Sequence, residues 1–202
     1  MIYLETESVV LDDSLLIGKG RHRACYQHPH HSELCIKVHL DPRDIRETLR
    51  EVKYFKKLHK KNAKLNSISD YIGTVKTNLG KGYVYQLIRD YDGEVSKTLS
   101  YYLSNNKYRD CLAESIKTAY LNFKKSLQND AVAVMDLKAY NIVLKRVREN
   151  KFTLCLIDNI GTAALIPVTY YVELLCLKSL DRKFEKFEAM VERTYDIALS
   201  SL

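Results

Sequence analysis

Proline and glycine are scarce, at 3 and 7 of 202 residues. That scarcity excludes a collagen-like or linker-rich chain. No stretch approaches the uninterrupted apolar length that a bilayer-spanning helix requires, so no transmembrane segment is expected. The opening MIYLETESVV places Glu5 and Glu7 where a secretory signal needs a basic start and an apolar run, so the chain is read as cytoplasmic. The five cysteines are odd in number and none forms a CxxC pair. Cys35, Cys155 and Cys176 have apolar flanks, which suits reduced, buried thiols rather than a disulfide or zinc framework. There is no internal repeat, no low-complexity segment and no RNA-binding motif among the aromatic residues, which are mostly Tyr.

What is present is ordinary for a folded soluble protein: 46% hydrophobic and 28% charged residues. The length suits one compact domain or two small lobes. A net charge of +7 permits anionic partners (nucleotides, nucleic acid or a membrane surface) without choosing among them.

Short strand-type runs fill the first 90 residues. LLIG (15–18) leads into GKGRHR (18–23), a turn follows through QHPHH (27–31), and LCIKVHL (34–40) reads as a strand. Residues 43–61 read as a helix that Asp41-Pro42 introduces, with Ile45, Leu49, Val52, Phe55 and Leu58 on one arc. Lys53, Lys56, Lys57, Lys60, Lys61 and Lys64 lie opposite, as a solvated face. Glu51 falls inside the apolar arc and therefore demands a positive partner. Residues 70–78 and 81–93 read as strands around an Asn-Leu-Gly-Lys-Gly turn. Helical patterns follow at 96–105, 107–128 and 169–200, with strand-type segments at 131–145 and 151–161. The expected fold is α+β: a β-rich lobe over 1–90 with one helix, a connector near 89–95, and a mainly helical lobe over 91–202.

Four groups in this order can carry chemistry. Gly18 and Gly20 either let backbone amides approach phosphates or simply form a turn. Lys37 stands in an apolar strand, where it is either edge-exposed or turned inward to meet Glu51. Asp136, Lys138 and Asn141 offer a carboxylate, a cation and an amide from one loop, a set suited to phosphoryl transfer. Asp158 ends an apolar strand, where it suits a Mg²⁺ ligand or starts a turn. His28, His30 and His31 cluster around Pro29 and read as an exposed turn, since no further ligand completes a metal set.

The order of Lys37, Glu51, Asp-x-Lys-x-x-Asn and a strand-ending Asp resembles that of protein kinases. More closely, GKGRHRACY (18–26), CIKV (35–38), REVKYF (50–55), GYVYQLI (82–88), DLKAYNIVL (136–144) and DNIGTAALIP (158–167) resemble the YrbL family of bacteria, the PhoP regulatory network proteins. The resemblance covers about residues 10–180. It implies a small two-lobed protein-kinase-like fold with an ATP site. Gly18 and Gly20 would then cover phosphates, and Lys37 would contact them while pairing with Glu51. Asp136 would orient the acceptor hydroxyl, Lys138 would stabilise the transferred group, and Asn141 and Asp158 would hold Mg²⁺. A hinge near Leu87 to Asp92 would present backbone groups to adenine.

The departures from the kinase pattern are specific. Arg23 stands near the third glycine's place, and Val134-Met135 replaces His-Arg. Asp158-Asn159-Ile160-Gly161 is one residue longer than Asp-Phe-Gly, no Ala-Pro-Glu follows, and 41 residues remain after Gly161. The C-lobe is therefore expected to be truncated. The expected function is Mg²⁺-ATP-dependent phosphotransfer to an acceptor that the sequence does not name: a small molecule, an envelope saccharide or a protein. The alternative is a pseudokinase-type module that binds nucleotide or protein without transfer. Nucleic acid is not the expected partner.

Overall fold

A computed structural model describes residues 8–61, 65–164 and 167–199. Glu5, Glu7 and Lys64, on which the leader and lysine-face readings partly rest, lie outside the described residues. So do Leu165 and Ile166 of the DNIGTAALIP motif and the end of the 169–200 pattern. The protein is mixed α+β, with a six-stranded sheet, a two-stranded sheet and four α-helices. It divides into two compact units. The first takes the described residues up to Phe55, together with Ser69–Leu87. The second takes those from Lys56 to Ile68 and from Ile88 onward.

The first unit holds β1 (Ser8–Val9), β2 (Leu16–Lys19), β3 (Arg23–Gln27), β4 (Leu34–His39), β5 (Tyr71–Thr77) and β6 (Gly80–Gln86). Their order is β1-β5-β6-β4-β3-β2, antiparallel throughout except for the parallel β1–β5 pair. Side chains alternate between faces along each strand. One face carries the cluster of Val9, Leu11, Ala24, Tyr26, Ile36, Val38, Val75 and Val84. Lys37, between Ile36 and Val38, therefore points to the other face. There it lies in register with Cys25 on β3 and Tyr83 on β6.

Helix α1 (Arg46–Lys60) begins beyond Asp41, whose carboxylate accepts from the Arg43 amide. Its buried side is Thr48, Glu51, Tyr54, Phe55 and Leu58, whereas Leu49 is 52% exposed. The expected apolar arc is thus rotated, because polar groups opposite Thr48 and Glu51 draw them inward. Phe55, Tyr71 and Tyr85 pack ring to ring with centroids 5.4–6.1 Å apart.

Gly82 on β6 sits where the sheet leaves no room for a side chain. A Cβ there would stand 2.5 Å from Cγ2 of Ile36, and 3.1 Å from methyls of both Thr77 and Val75. Gly82→Ala is expected to destabilise the protein by about 1–3 kcal/mol through overpacking, read as a lower urea midpoint. Gly18→Ala, whose Cβ would meet nothing within 4 Å, is the matched control.

The second unit holds α2 (Leu99–Leu103), α3 (Asn106–Asn129), β7 (Ile142–Arg148), β8 (Lys151–Leu156) and α4 (Glu173–Tyr195). Thr98 and Asn105 cap α2 and α3 by accepting from the Tyr101 and Tyr108 amides. Ile116, Ala119, Tyr120, Phe123 and Leu127 of α3 are buried, as are Cys176, Leu180, Phe184, Phe187 and Val191 of α4. Tyr120 and Phe123 meet Phe184 edge-on at 6.1 and 6.3 Å. Leu174, near the start of α4, is 61% exposed.

The strand expected over 131–145 begins only at Ile142, and the strand expected over 81–93 ends at Gln86. Residues 88–98 fold back on themselves through an Arg89–Val95 bridge, and the Leu144 amide donates to the Lys97 carbonyl. Cys35, Cys155 and Cys176 are buried free thiols; Cys111 is exposed and Cys25 half-buried. His28 departs from the exposed-turn reading: it is buried, with the His30 and His31 rings edge-on to it at 6.1 and 4.7 Å.

Candidate functional site

In the first unit, Lys37 is 7% exposed, with its Nζ 4.4 Å from the centre of the Tyr85 ring. The aromatic face supports a desolvated ammonium there. Glu51, 1% exposed, answers its demand for a cation through Arg23, whose Nη1 lies 3.2 Å from Oε2. The Tyr85 hydroxyl donates to the same oxygen at 3.1 Å. Arg23 also donates to the Thr48 hydroxyl at 3.1 Å, and the His39 ring contacts that hydroxyl at 2.9 Å. Burial first, and then the Arg23 charge, holds His39 below the ordinary histidine range. The Cys35 thiol is pushed up by its hydrogen bond with Cys25 and by burial, so it stays protonated beside Lys37.

Gly18 and Gly20 lie on the exposed β2–β3 hairpin, where the Gly20 amide donates to the Arg23 carbonyl. Neither has a positive φ. Their lack of a side chain is therefore not demanded by the turn itself, and it leaves the strand surface bare. Of the residues expected at a hinge, the amides of Leu87, Asp90 and Tyr91 are already bonded to the carbonyls of Glu33, Glu94 and Arg146.

The second unit gathers the remaining set by backbone pairing. Val134 bridges Ile160, the Met135 amide donates to the Asn159 carbonyl at 2.7 Å, and the Gly161 amide donates to Ala133 at 2.8 Å. Asn159 and Gly161 turn there with φ of 62° and 111°. This short ladder brings the segments bearing Asp136 and Asp158 side by side. The Ile157 amide donates to the Asn141 carbonyl at 2.8 Å and ties the third residue to the same place. Lys183 of α4 clamps the ladder by donating to the Val134 carbonyl and to Ser179. Burial lowers its pKa.

Asp136 is open to solvent and pairs with Lys138, Oδ2 to Nζ, at 3.3 Å. Tyr140 first, and then Asp136, raises the Lys138 pKa, so its charge is secure. The Asp158 Oδ1 accepts from the Asn159 amide at 2.8 Å, which fixes the carboxylate's direction. A cleft of about 430 Å³ opens beside Asp136 and Lys138, walled by Tyr140, Phe187, Met190 and Tyr195. Asn141 and Asp158 are oxygen donors of the type Mg²⁺ takes. Among the described residues there is no group of three His, Cys, Asp or Glu able to hold a metal alone.

Two acids escaped the sequence reading, the buried Asp90 and the half-buried Glu188. Asp90 accepts from the Arg146 side chain at 2.7 Å and from its amide at 2.9 Å, and from Ser96 at 2.5 Å. Glu188 takes the Tyr120 hydroxyl and the Lys124 ammonium. Arg23 was noticed only as a replaced glycine. The demand of Glu51 for a cation was the one available pointer to it.

Comparison with known proteins covers most of the chain. The profile of the family described as "PhoP regulatory network protein YrbL" matches residues 9–192. A protein of Escherichia coli K12 described as "Uncharacterized protein YrbL" is 34% identical over 181 residues, covering 89% of this chain and 86% of its own. The Shigella flexneri protein of the same description matches to the same extent. The chain belongs to the YrbL family of PhoP regulatory network proteins.

Proposed function

We propose that the protein is a Mg²⁺-ATP-dependent phosphotransferase of the protein-kinase-like class. One observation carries this reading. The 133–135 and 159–161 ladder, with the tie from Ile157 to Asn141, sets a solvent-facing carboxylate, an ammonium, an amide and an oriented second carboxylate on adjoining segments. Phosphoryl transfer asks mainly for positioned charge. In this reading Asp136 orients the acceptor hydroxyl and takes its proton. Lys138 faces the transferred group. Asn141 and Asp158 hold Mg²⁺, which neutralises phosphate charge when bound. The kinase-like order of residues alone assigns Lys37 a phosphate contact.

A second reading, nucleotide or partner binding without transfer, is favoured by Arg23. Its guanidinium stands 3.2 Å from Glu51 Oε2, a cation on that carboxylate that the kinase pattern does not include.

Thermal unfolding with and without Mg²⁺-ATP tests the nucleotide site. At about 100 times the dissociation constant the ligand adds roughly 2.7 kcal/mol, a rise on the order of 5–10 °C for this chain length. The rise should need Mg²⁺ and vanish in Lys37→Ala and Asp158→Ala. No rise at millimolar ATP overturns both nucleotide readings.

A further inference from the structure

The described residues include fifteen large apolar side chains that are substantially exposed, and five of them fall within eight positions: Val168, Tyr171, Val172, Leu174 and Leu175. Their exposures run from 42% to 71%. Scattered exposed apolar residues are normal, but a contiguous set marks a surface that meets something. This set is also held rigidly. Tyr170 and Cys176 turn inward and are buried. The Tyr170 hydroxyl accepts from the Thr162 amide, and its carbonyl takes the Lys57 ammonium. The segment is thus pinned by its inner residues and presents the others outward.

Residue choice at the start of α4 points the same way. Val172 occupies the N-cap and makes no side-chain cap. Ser, Thr, Asp or Asn there would stabilise the helix. A departure from a local rule at an exposed position indicates a use for the apolar side chain.

Basic groups surround the patch. Lys57 lies over the Tyr171 ring at 3.3 Å. Lys61, just past the last residue of α1, adds to the positive charge acting on the Cys176 thiol of α4. Lys178 and Arg182 of α4, with Leu175 and Thr169, line an open cleft of about 600 Å³. Glu173 is exposed within the segment itself; Asp181, beside the cleft, accepts from Gln128. Cations outnumber them. Aromatic and aliphatic side chains ringed by lysines match the border between lipid headgroups and acyl chains.

We propose that residues 168–175, with Lys57, Lys60, Lys61, Lys178 and Arg182, dock the protein on the anionic face of a lipid bilayer. Tyr171 and Leu174 enter the headgroup border, and the cations meet lipid phosphates. The lysine face of α1 then has a task beyond solubility.

Vesicle co-sedimentation of the full chain tests this. Vesicles of phosphatidylcholine with about a third phosphatidylglycerol should bind at least roughly tenfold more tightly than phosphatidylcholine alone, with binding lost in high salt. Tyr171→Ser/Leu174→Ser should weaken binding by about tenfold or more while lowering the melting temperature by only a few degrees, through the lost Lys57–Tyr171 contact. Lys60→Gln/Lys61→Gln should cost about fivefold per charge. Failure to bind the anionic vesicles overturns the proposal, as does undiminished binding by the Tyr171→Ser/Leu174→Ser variant. Self-association that the same variant abolishes, with no vesicle binding, reassigns the patch to contact between copies of the chain.

Discussion

Asp136→Asn is expected to lower turnover of the ATP γ-phosphate by about 10²–10⁴-fold, the usual worth of a positioned general base. Asparagine keeps the shape and a hydrogen-bond acceptor but cannot take the acceptor's proton. The fold should survive, because Asp136 is exposed and its partner Lys138 is likewise in solvent. An exposed pair of this kind contributes about 0–1 kcal/mol. The measurement is release of radiolabelled phosphate from ATP, with water as the acceptor, beside the Mg²⁺-ATP melting shift. Retained nucleotide binding with lost turnover assigns the chemistry to Asp136. Full turnover in Asp136→Asn sinks the phosphotransfer reading. A wild-type chain that binds Mg²⁺-ATP and never turns it over selects the binding-only alternative.

The sequence made the local parts of this site readable and left its cross-strand parts hidden. Asp136, Asn141 and Asp158 stand out because polar residues interrupt apolar runs, and those runs do fold as β7 and β8. Glu51 is legible as a misfit on an amphipathic helix. Its partner is not, because Arg23 lies 28 positions away and reaches it only after strand and helix have packed. The same packing explains the rotated face of α1. Periodicity ranks Leu49 above Thr48, but Thr48 has Arg23 and His39 to bond with, and burial follows the partners. Residues 131–135 read as strand by composition. They form only a single bridge, since their neighbours turn at Asn159 and Gly161 and a lysine from α4 takes the Val134 carbonyl. Asp90 reads as part of the strand expected over 81–93 and of the hinge near Leu87 to Asp92, and its partner Arg146 comes to it only once β7 has formed.

Arg146→Ala is expected to cost about 3–5 kcal/mol, the largest stability loss of any substitution considered, because it strands a buried carboxylate. The Asp90 side chain is 3% exposed. Its Oδ2 faces the Arg146 guanidinium at 2.7 Å, and Asp92 meets the same guanidinium. Asp90 in turn holds the Arg146 guanidinium protonated, far above any accessible pH. After truncation, Asp90 Oδ1 retains the Ser96 hydroxyl and the residue 146 amide, while Oδ2 loses the guanidinium. For a chain of this length the cost is a melting decrease on the order of 6–20 °C. Asp90→Asn/Arg146→Ala should be more stable than Arg146→Ala alone, because the stranded charge is gone; equal stability of the two would show that lost packing over Tyr91 is the cause. The consequence reaches the site. Asp90 and Arg146 tie residues 88–98 to β7, and β7 begins directly after Asn141. Arg146→Ala should therefore also shrink the Mg²⁺-ATP melting shift, although Arg146 is not among the groups assigned to the nucleotide.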